Sequence, residues 1–144
     1  MSNAIQVNCN TCNLQLVRNF VTEFLTPYAL PEIVLNQMIL AVDEISANLI
    51  IHANNNDNTK HFILTILHQS GDFIFEFKHW GIPFDKEIYK APNLPRHVSG
   101  GRKGGLGLSL VNYIMDKVEF YTDKDGVHFC RLYKKVPAVK PATW

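Results

Sequence analysis

One amphipathic stretch, residues 35–54, constrains this chain more than any other. Its apolar residues recur at alternating steps of three and four, the spacing of the buried stripe of a helix. These residues are Leu35, Met38, Val42, Ile45 and Leu49. Glu44 and Asn48 lie four residues apart, so their side chains fall on one face, beside that stripe. A carboxylate can accept a proton from a hydroxyl, and an amide oxygen can bind a hard cation such as Mg²⁺. The pair is a candidate site, although this spacing is also common on ordinary solvated helices.

The size and charge of the chain limit the classes of protein to which it can belong. At 144 residues, 47% of them hydrophobic, the chain is long enough for one domain with its own core. We expect that domain to span residues 1–136, with a loose tail at residues 137–144. The net charge of +1 argues against direct binding to nucleic acid or to an anionic membrane.

The lack of a recognisable targeting signal and the number of cysteines indicate a cytoplasmic protein. We find no apolar run of bilayer length and no signal peptide at the N-terminus, so we expect a cytoplasmic protein without a membrane partner. Three cysteines are an odd number, unlike the disulfide framework of a secreted domain. Cys9 and Cys12 form a C-x-x-C motif, which could be a redox pair or half of a metal site. No second pair accompanies them, so we assign them neither role.

The order of predicted elements indicates an α+β fold. A short strand at residues 4–8 precedes two helices, and alternating apolar residues predict a hairpin that turns near residues 69–72. One more helix and a closing hairpin, with its turn at residues 123–126, follow a long irregular segment. We therefore predict a two-layer sandwich, with three helices on one face of a mixed, mostly antiparallel sheet. A doubly wound nucleotide fold would need strict alternation of strands and helices.

A basic loop and a glycine-rich helix start together suggest a phosphate site. The irregular segment ends in Arg102 and Lys103, and Gly104, Gly105 and Gly107 open the last helix. Free N–H groups and the positive dipole end at a helix start bind phosphate, and glycine allows close backbone approach. Basic residues of the loop could close over the anion. With a carboxylate and a magnesium ligand in the preceding helix, this pattern favours a magnesium–nucleotide site.

With these features the chain resembles a known family. It looks like the ATPase domain shared by gyrase, Hsp90, histidine kinases and MutL (the Bergerat or GHKL type), and most closely the anti-sigma factor serine protein kinases of the RsbW and SpoIIAB kind. The first family motif, E-x-x-x-N followed by H-A, corresponds to Glu44, Asn48, His52 and Ala53. The last motif, G-G-x-G-L-x-L, corresponds to the three glycines, Leu108 and Leu110. His52 could orient groups near the site or contribute to helix packing, and of the two we expect packing.

The middle motif of the family, D-x-G-x-x-F-D, is changed in this chain. Gly81, Phe84 and Asp85 fit it, but His79 stands in place of the leading aspartate. The resemblance implies that this aspartate accepts a hydrogen bond from the adenine amino group, and a neutral imidazole could accept through only one ring nitrogen. Near the start of its last strand the family often has Gly-Thr, where this chain has Gly126 and Val127. Two interpretations stay open: ATP binding is retained despite these changes, or it is weak or lost.

The resemblance implies a mechanism. Asn48 would hold Mg²⁺ together with the phosphates of ATP or ADP, and Glu44 would accept the proton of a protein serine as it attacks the γ-phosphate. The nucleotide-binding residues that the resemblance implies are Asn48, His79, Gly81, Asp85, Arg102, Lys103, Gly104, Gly105, Gly107 and Leu108.

The resemblance also implies partners. These are a sigma factor, which is sequestered, and an antagonist of the anti-anti-sigma (STAS) type, which is phosphorylated by a homodimeric kinase. The alternative is a non-catalytic regulator that binds partners through a degenerate nucleotide site. His79 and Val127 favour the regulator, whereas Glu44 and Asn48 favour the kinase.

Overall fold

The computed structural model of the protein describes residues 3–83 and 103–136, with the backbone alone in 103–108. Five strands and three α-helices make up this part of the chain. The strands are β1 (Ala4–Asn8), β2 (His61–Gln69), β3 (Asp72–His79), β4 (Lys117–Thr122) and β5 (His128–Lys135). The helices are α1 (Leu14–Leu25), α2 (Glu32–Asn48) and α3 (Lys103–Ile114). Short 3₁₀ turns at Thr11–Asn13 and Thr26–Tyr28 flank α1.

The five strands form one sheet in the order β1-β2-β3-β5-β4. All four described pairings are antiparallel, so the sheet predicted as mixed is antiparallel throughout this part of the chain. The predicted α+β sandwich is otherwise confirmed. The tail at residues 137–144 and the basic loop at residues 84–102 lie outside the described residues.

The β2–β3 hairpin turns as its sequence predicts. Ser70 and Gly71 connect the strands, with φ angles of 53° and 83°, and Gln69 pairs with Asp72. Two successive residues with positive φ match the right-handed twist of the strands, which is why short polar residues and glycine are favoured there. The turn fixes the register, and the register places the alternating phenylalanines of β3 on one face.

The core lies between that face and the helices. Its largest fully buried side chains include Phe62, Phe73, Phe75 and Phe77. Each buried phenylalanine contributes about 1.5–3 kcal/mol of transfer free energy. Helix α2 lies in the middle of the helical layer, because it packs against both α1 and α3. The stripe predicted for α2 is confirmed: Met38, Val42, Ile45 and Leu49 are buried, and Leu35 packs against them.

The helical segment Glu32–Ala53 continues past α2 through a π-helical turn, Leu49–Ala53. With this extension, its length and composition would be enough to cross a membrane, contrary to the expectation from sequence. The apolar side of the segment is used in the core, since Met38, Ile45 and Ile50 are fully buried.

All three cysteines are free thiols, and two are buried. Cys9 and Cys130 lie in the core, whereas Cys12 is exposed. Burial is the main cause of the raised pKa of both Cys9 and Cys130. A thiol must lose its proton to react, so these two buried thiols are poor nucleophiles.

Candidate nucleotide site

Asn48 is held in place by its own helix. Its Nδ2 donates a hydrogen bond of 2.7 Å to the backbone oxygen of Glu44, and the residue is 6% exposed. The bond therefore joins the Asn48 side chain to the main chain of Glu44 and not to its carboxylate. Because the bond uses the amide nitrogen, Oδ1 is the oxygen available to a cation.

The surroundings of Glu44 raise the pKa of its carboxyl group, which makes the carboxylate a stronger base. Burial raises the pKa of this half-buried carboxyl, and the negative charge of Asp43 raises it further. Arg18 on α1 reaches across to Asp43, with Nε 2.7 Å from Oδ1. A carboxylate with a raised pKa holds a proton more readily when a substrate hydroxyl releases one.

Gly81 brings the segment after β3 against the C-terminal end of α2. A Cβ atom at this position would lie 2.4 Å from the backbone oxygen of Ala53 and 2.6 Å from Oδ1 of Asn54. The next residue, Ile82, donates its backbone N–H to the same Ala53 oxygen at 3.0 Å. Only glycine allows this approach without a shift. Gly81 thus joins the turn after β3 to the helical segment that carries Glu44 and Asn48.

His52, by contrast, does not pack between helices. The structure places its side chain at the surface, so the expectation from sequence is wrong. His52 lies in the π-helical turn, whose wider winding changes the direction of each side chain relative to α-helical spacing.

His79 ends β3 and is 1% exposed. Burial, together with the nearby His128, lowers its pKa to about 4, so its imidazole is uncharged at neutral pH. His128 on β5 is its cross-strand partner, and the two ring centroids are 5.3 Å apart. On the far side, His128 Nδ1 lies 2.8 Å from Oγ1 of Thr122 on β4. The three residues form a row across the end of the sheet.

Sequence reasoning missed His128 and Thr122 as site residues. The comparison with the family motif drew attention to Val127, but it is His128 that pairs with His79. The available signal was the strand pattern: once β3 and β5 are paired antiparallel, residues opposite each other share a face.

A cavity of about 100 Å³ lies beside this row. Among the described residues its walls are His79, Pro83, Phe120, Tyr121, Thr122, His128 and Phe129. The walls are aromatic, apart from a proline and three polar side chains. This combination suits a flat ligand that carries a few hydrogen-bonding groups.

The glycine-rich segment forms the first turns of α3. The helix begins at Lys103, so its backbone includes Gly104, Gly105, Gly107 and Leu108. Asp85 and Arg102, also predicted as nucleotide-binding residues, lie outside the described residues. Ser109, one turn further along, is fully buried, and no described residue hydrogen-bonds its hydroxyl. Since α3 packs against α2, the glycine-rich helix and the Glu44–Asn48 helix are neighbours.

The protein ligands available here fit a magnesium ion that is bound mainly through the phosphates of a nucleotide. Within residues 3–83 and 103–136 we find no cluster of three or more histidine, cysteine, aspartate or glutamate ligands. Magnesium usually takes one or two protein oxygens and completes its shell with water and phosphate oxygens. A single amide oxygen at Asn48 meets that requirement.

Comparison with known proteins supports an ATPase-type fold. The sequence profile of the histidine kinase-like ATPase domain matches residues 7–130. No curated protein sequence matches the chain significantly.

Solved structures agree on the fold. The RsbU and RsbW domains of a Mycobacterium tuberculosis protein match with a TM-score of 0.63 at 12% identity, over 96% of this chain and 34% of that one. This chain thus spans about a third of that protein chain. The SiaB–SiaC complex from Pseudomonas aeruginosa contains a chain that matches with a TM-score of 0.65 at 11% identity, over 92% of this chain and 89% of that one.

A blue-light activated histidine kinase from Erythrobacter litoralis is also similar. Its TM-score is 0.55 at 12% identity, over 89% of this chain and 61% of that one. At these identities the solved structures show the fold alone, whereas the profile match covers most of the sequence. The chain therefore belongs to the histidine kinase-like ATPase domain family.

Proposed function

We propose that this protein is an ATP-dependent serine/threonine protein kinase of the partner-switching type. The observation that carries the proposal is the arrangement on α2. Glu44 has a raised pKa, and one turn later Asn48 is fixed with its amide oxygen available. A base and a magnesium ligand at this spacing are what transfer of a phosphoryl group to a hydroxyl requires.

Each residue of the site has its own role in this mechanism. Asn48 Oδ1 would hold a magnesium ion, which would neutralise phosphate charge when bound. Glu44 would accept the proton of a serine hydroxyl as its oxygen bonds to the γ-phosphorus. The bond between that phosphorus and the β–γ bridging oxygen would break, so that ADP leaves. The backbone N–H groups at the start of α3 would bind the phosphates, and Arg102 and Lys103 would add positive charge. We assign Gly81 and Asp85 to nucleotide binding, as the family resemblance implies.

The proposed protein substrate is an antagonist of the STAS type, and the second partner is a sigma factor that a homodimer of this chain sequesters in the cytoplasm. Support comes from the structural neighbours, which include an RsbW domain and a chain solved within the SiaB–SiaC complex. A competing function is a regulator that binds partners without turnover. His79, which stands where the family resemblance implies a carboxylate, favours that alternative, as does Val127.

An assay of phosphoryl transfer from labelled ATP to a purified STAS-type protein tests the proposal. Glu44→Gln keeps the shape of the side chain and removes the base, so transfer should fall by about 10²–10⁴-fold. Glu23→Gln changes an exposed glutamate on α1 and should leave the rate unchanged. Stable binding of the partner with no transfer by the unmodified protein would favour the non-catalytic regulator.

A further inference from the structure

His79, His128 and Thr122 lie side by side in a row at one end of the sheet. The three residues occupy paired positions on β3, β5 and β4, so their side chains share one face of the sheet. All three line the same cavity of about 100 Å³. Aromatic side chains form much of the remaining wall, namely Phe120, Tyr121 and Phe129.

Each polar member of the row can either donate or accept a hydrogen bond. A neutral imidazole has one N–H and one bare nitrogen, and a hydroxyl has both functions. The contact between Thr122 Oγ1 and His128 Nδ1, 2.8 Å long, can run in either direction. If the hydroxyl donates, Nε2 of His128 carries the proton, and if Nδ1 donates, Nε2 is the acceptor. The row can therefore present a donor or an acceptor to the same ligand edge.

The described walls of the cavity contain no carboxylate. An ionised carboxylate only accepts hydrogen bonds, so it favours an amino group and repels a carbonyl oxygen. A site with one fixed acceptor rejects the carbonyl analogue, because the mismatch leaves buried polar groups unpaired. Side chains that can reverse the direction of their hydrogen bonds impose no such penalty.

We propose that the His79–His128–Thr122 row reads the purine base of the bound nucleotide and accepts a 6-oxo group as readily as a 6-amino group. The nucleotide class is then purine triphosphates in general, inosine and guanosine triphosphates as well as ATP. This inference rests on the proposed nucleotide site and specifies its ligand. Burial, which keeps the His79 imidazole neutral at physiological pH, agrees with a ring that can exchange its donor and acceptor nitrogens.

Calorimetric titration with ATP and with inosine triphosphate, both in excess magnesium, tests the proposal. These nucleotides have the same ribose, triphosphate and purine frame, and differ at the 6-position and its neighbouring ring nitrogen. For the unmodified protein we expect dissociation constants within about tenfold of each other, since no fixed acceptor separates the two edges. Guanosine triphosphate should bind in the same range.

Two nearly isosteric variants at one position provide the control. His79→Asp supplies a fixed acceptor and should shift the affinity ratio towards ATP by about tenfold or more. His79→Asn supplies an amide that both donates and accepts, so its ratio should stay near that of the unmodified protein. Thermal melts followed by circular dichroism identify any variant that does not fold. If a variant does not fold, the affinities of the unmodified protein for ATP and inosine triphosphate still test the proposal.

The titrations distinguish failure of the base-reading proposal from failure of the proposed nucleotide site. Magnesium-dependent ATP binding, with inosine triphosphate about a hundredfold weaker or worse, would overturn the base-reading proposal and leave the nucleotide site intact. Absence of binding by any purine nucleotide, from folded protein, would overturn both. An unchanged ratio in His79→Asp would show that another part of the chain reads the base.

Discussion

Arg18 on α1 and Asp43 on α2 form a two-point ion pair beside Glu44. Nε of Arg18 lies 2.7 Å from Oδ1 of Asp43, and Nη2 lies 3.3 Å from Oδ2. The pair ties two helices together and offsets the negative charge of the residue next to Glu44. We therefore expect helix α1, which supplies no predicted site residue, to influence the proposed base through Asp43.

Replacing Arg18 by glutamine should raise the pKa of Glu44 further. Asp43 already contributes to the raised pKa of Glu44, and its influence grows when the guanidinium is removed. The free energy of unfolding should change by no more than about 1 kcal/mol, because the pair is partly exposed. Titration of the carboxyl carbon of Glu44 by NMR gives the pKa, and urea unfolding gives the stability.

A matched control lies on the sheet. Arg131 and Glu76 form an ion pair with the same 2.7 Å distance and similar exposure. Arg131→Gln should leave the pKa of Glu44 unchanged. An unchanged or lower pKa of Glu44 in Arg18→Gln would contradict the coupling.

Gly81→Ala should impair nucleotide binding as well as stability. The added methyl group would meet the Ala53 oxygen at 2.4 Å, so the segment after β3 must shift away from α2, at a cost of about 1–3 kcal/mol. Gly71→Ala is the control: no atom lies within 4 Å of its Cβ position, and only the φ of +83° is strained. We expect both variants to lower the urea midpoint but only Gly81→Ala to weaken ATP binding. Equal ATP affinities would show that the close contact serves folding alone.

His79 should make the protein sensitive to acid. Its pKa in the folded state, about 4, lies below the ordinary value of 6.5, so the unfolded chain binds the proton more tightly. The contribution of His79 is fully present above pH 6.5 and is lost as the pH falls towards 4. The loss is about 3 kcal/mol for a difference of this size.

Urea unfolding between pH 7 and pH 4 measures this effect. His79→Phe removes the titrating group and fills a similar volume, so the stability of the variant should fall less steeply over that range. Parallel pH profiles for the two proteins would show that other groups control the acid sensitivity.

Local periodicity predicted much of this fold. The stripe of α2 and the alternating phenylalanines of β3 depend on neighbours within a few residues, and the structure has both as predicted. The Ser70–Gly71 turn was predictable for the same reason, because its residue types favour positive φ.

The row at the end of the sheet depends on distant pairing. His79 lies more than 40 residues before Thr122 and His128, which face each other across the closing hairpin, and no local pattern encodes the register of β3 against β5. The π-helical turn after Asn48 was missed for another reason. Apolar spacing does not distinguish i→i+5 from i→i+4 hydrogen bonding over a single turn, so the exposure of His52 could not be foreseen.

Calorimetric titration with ATP tests the central claim most directly. The unmodified protein should bind ATP in a magnesium-dependent manner, and Asn48→Ala should lose that dependence because the amide oxygen is removed. Asn36→Ala, at an exposed asparagine of the same helix, should bind like the unmodified protein. Magnesium-dependent binding that survives Asn48→Ala, or no binding at millimolar ATP by folded protein, would contradict the account.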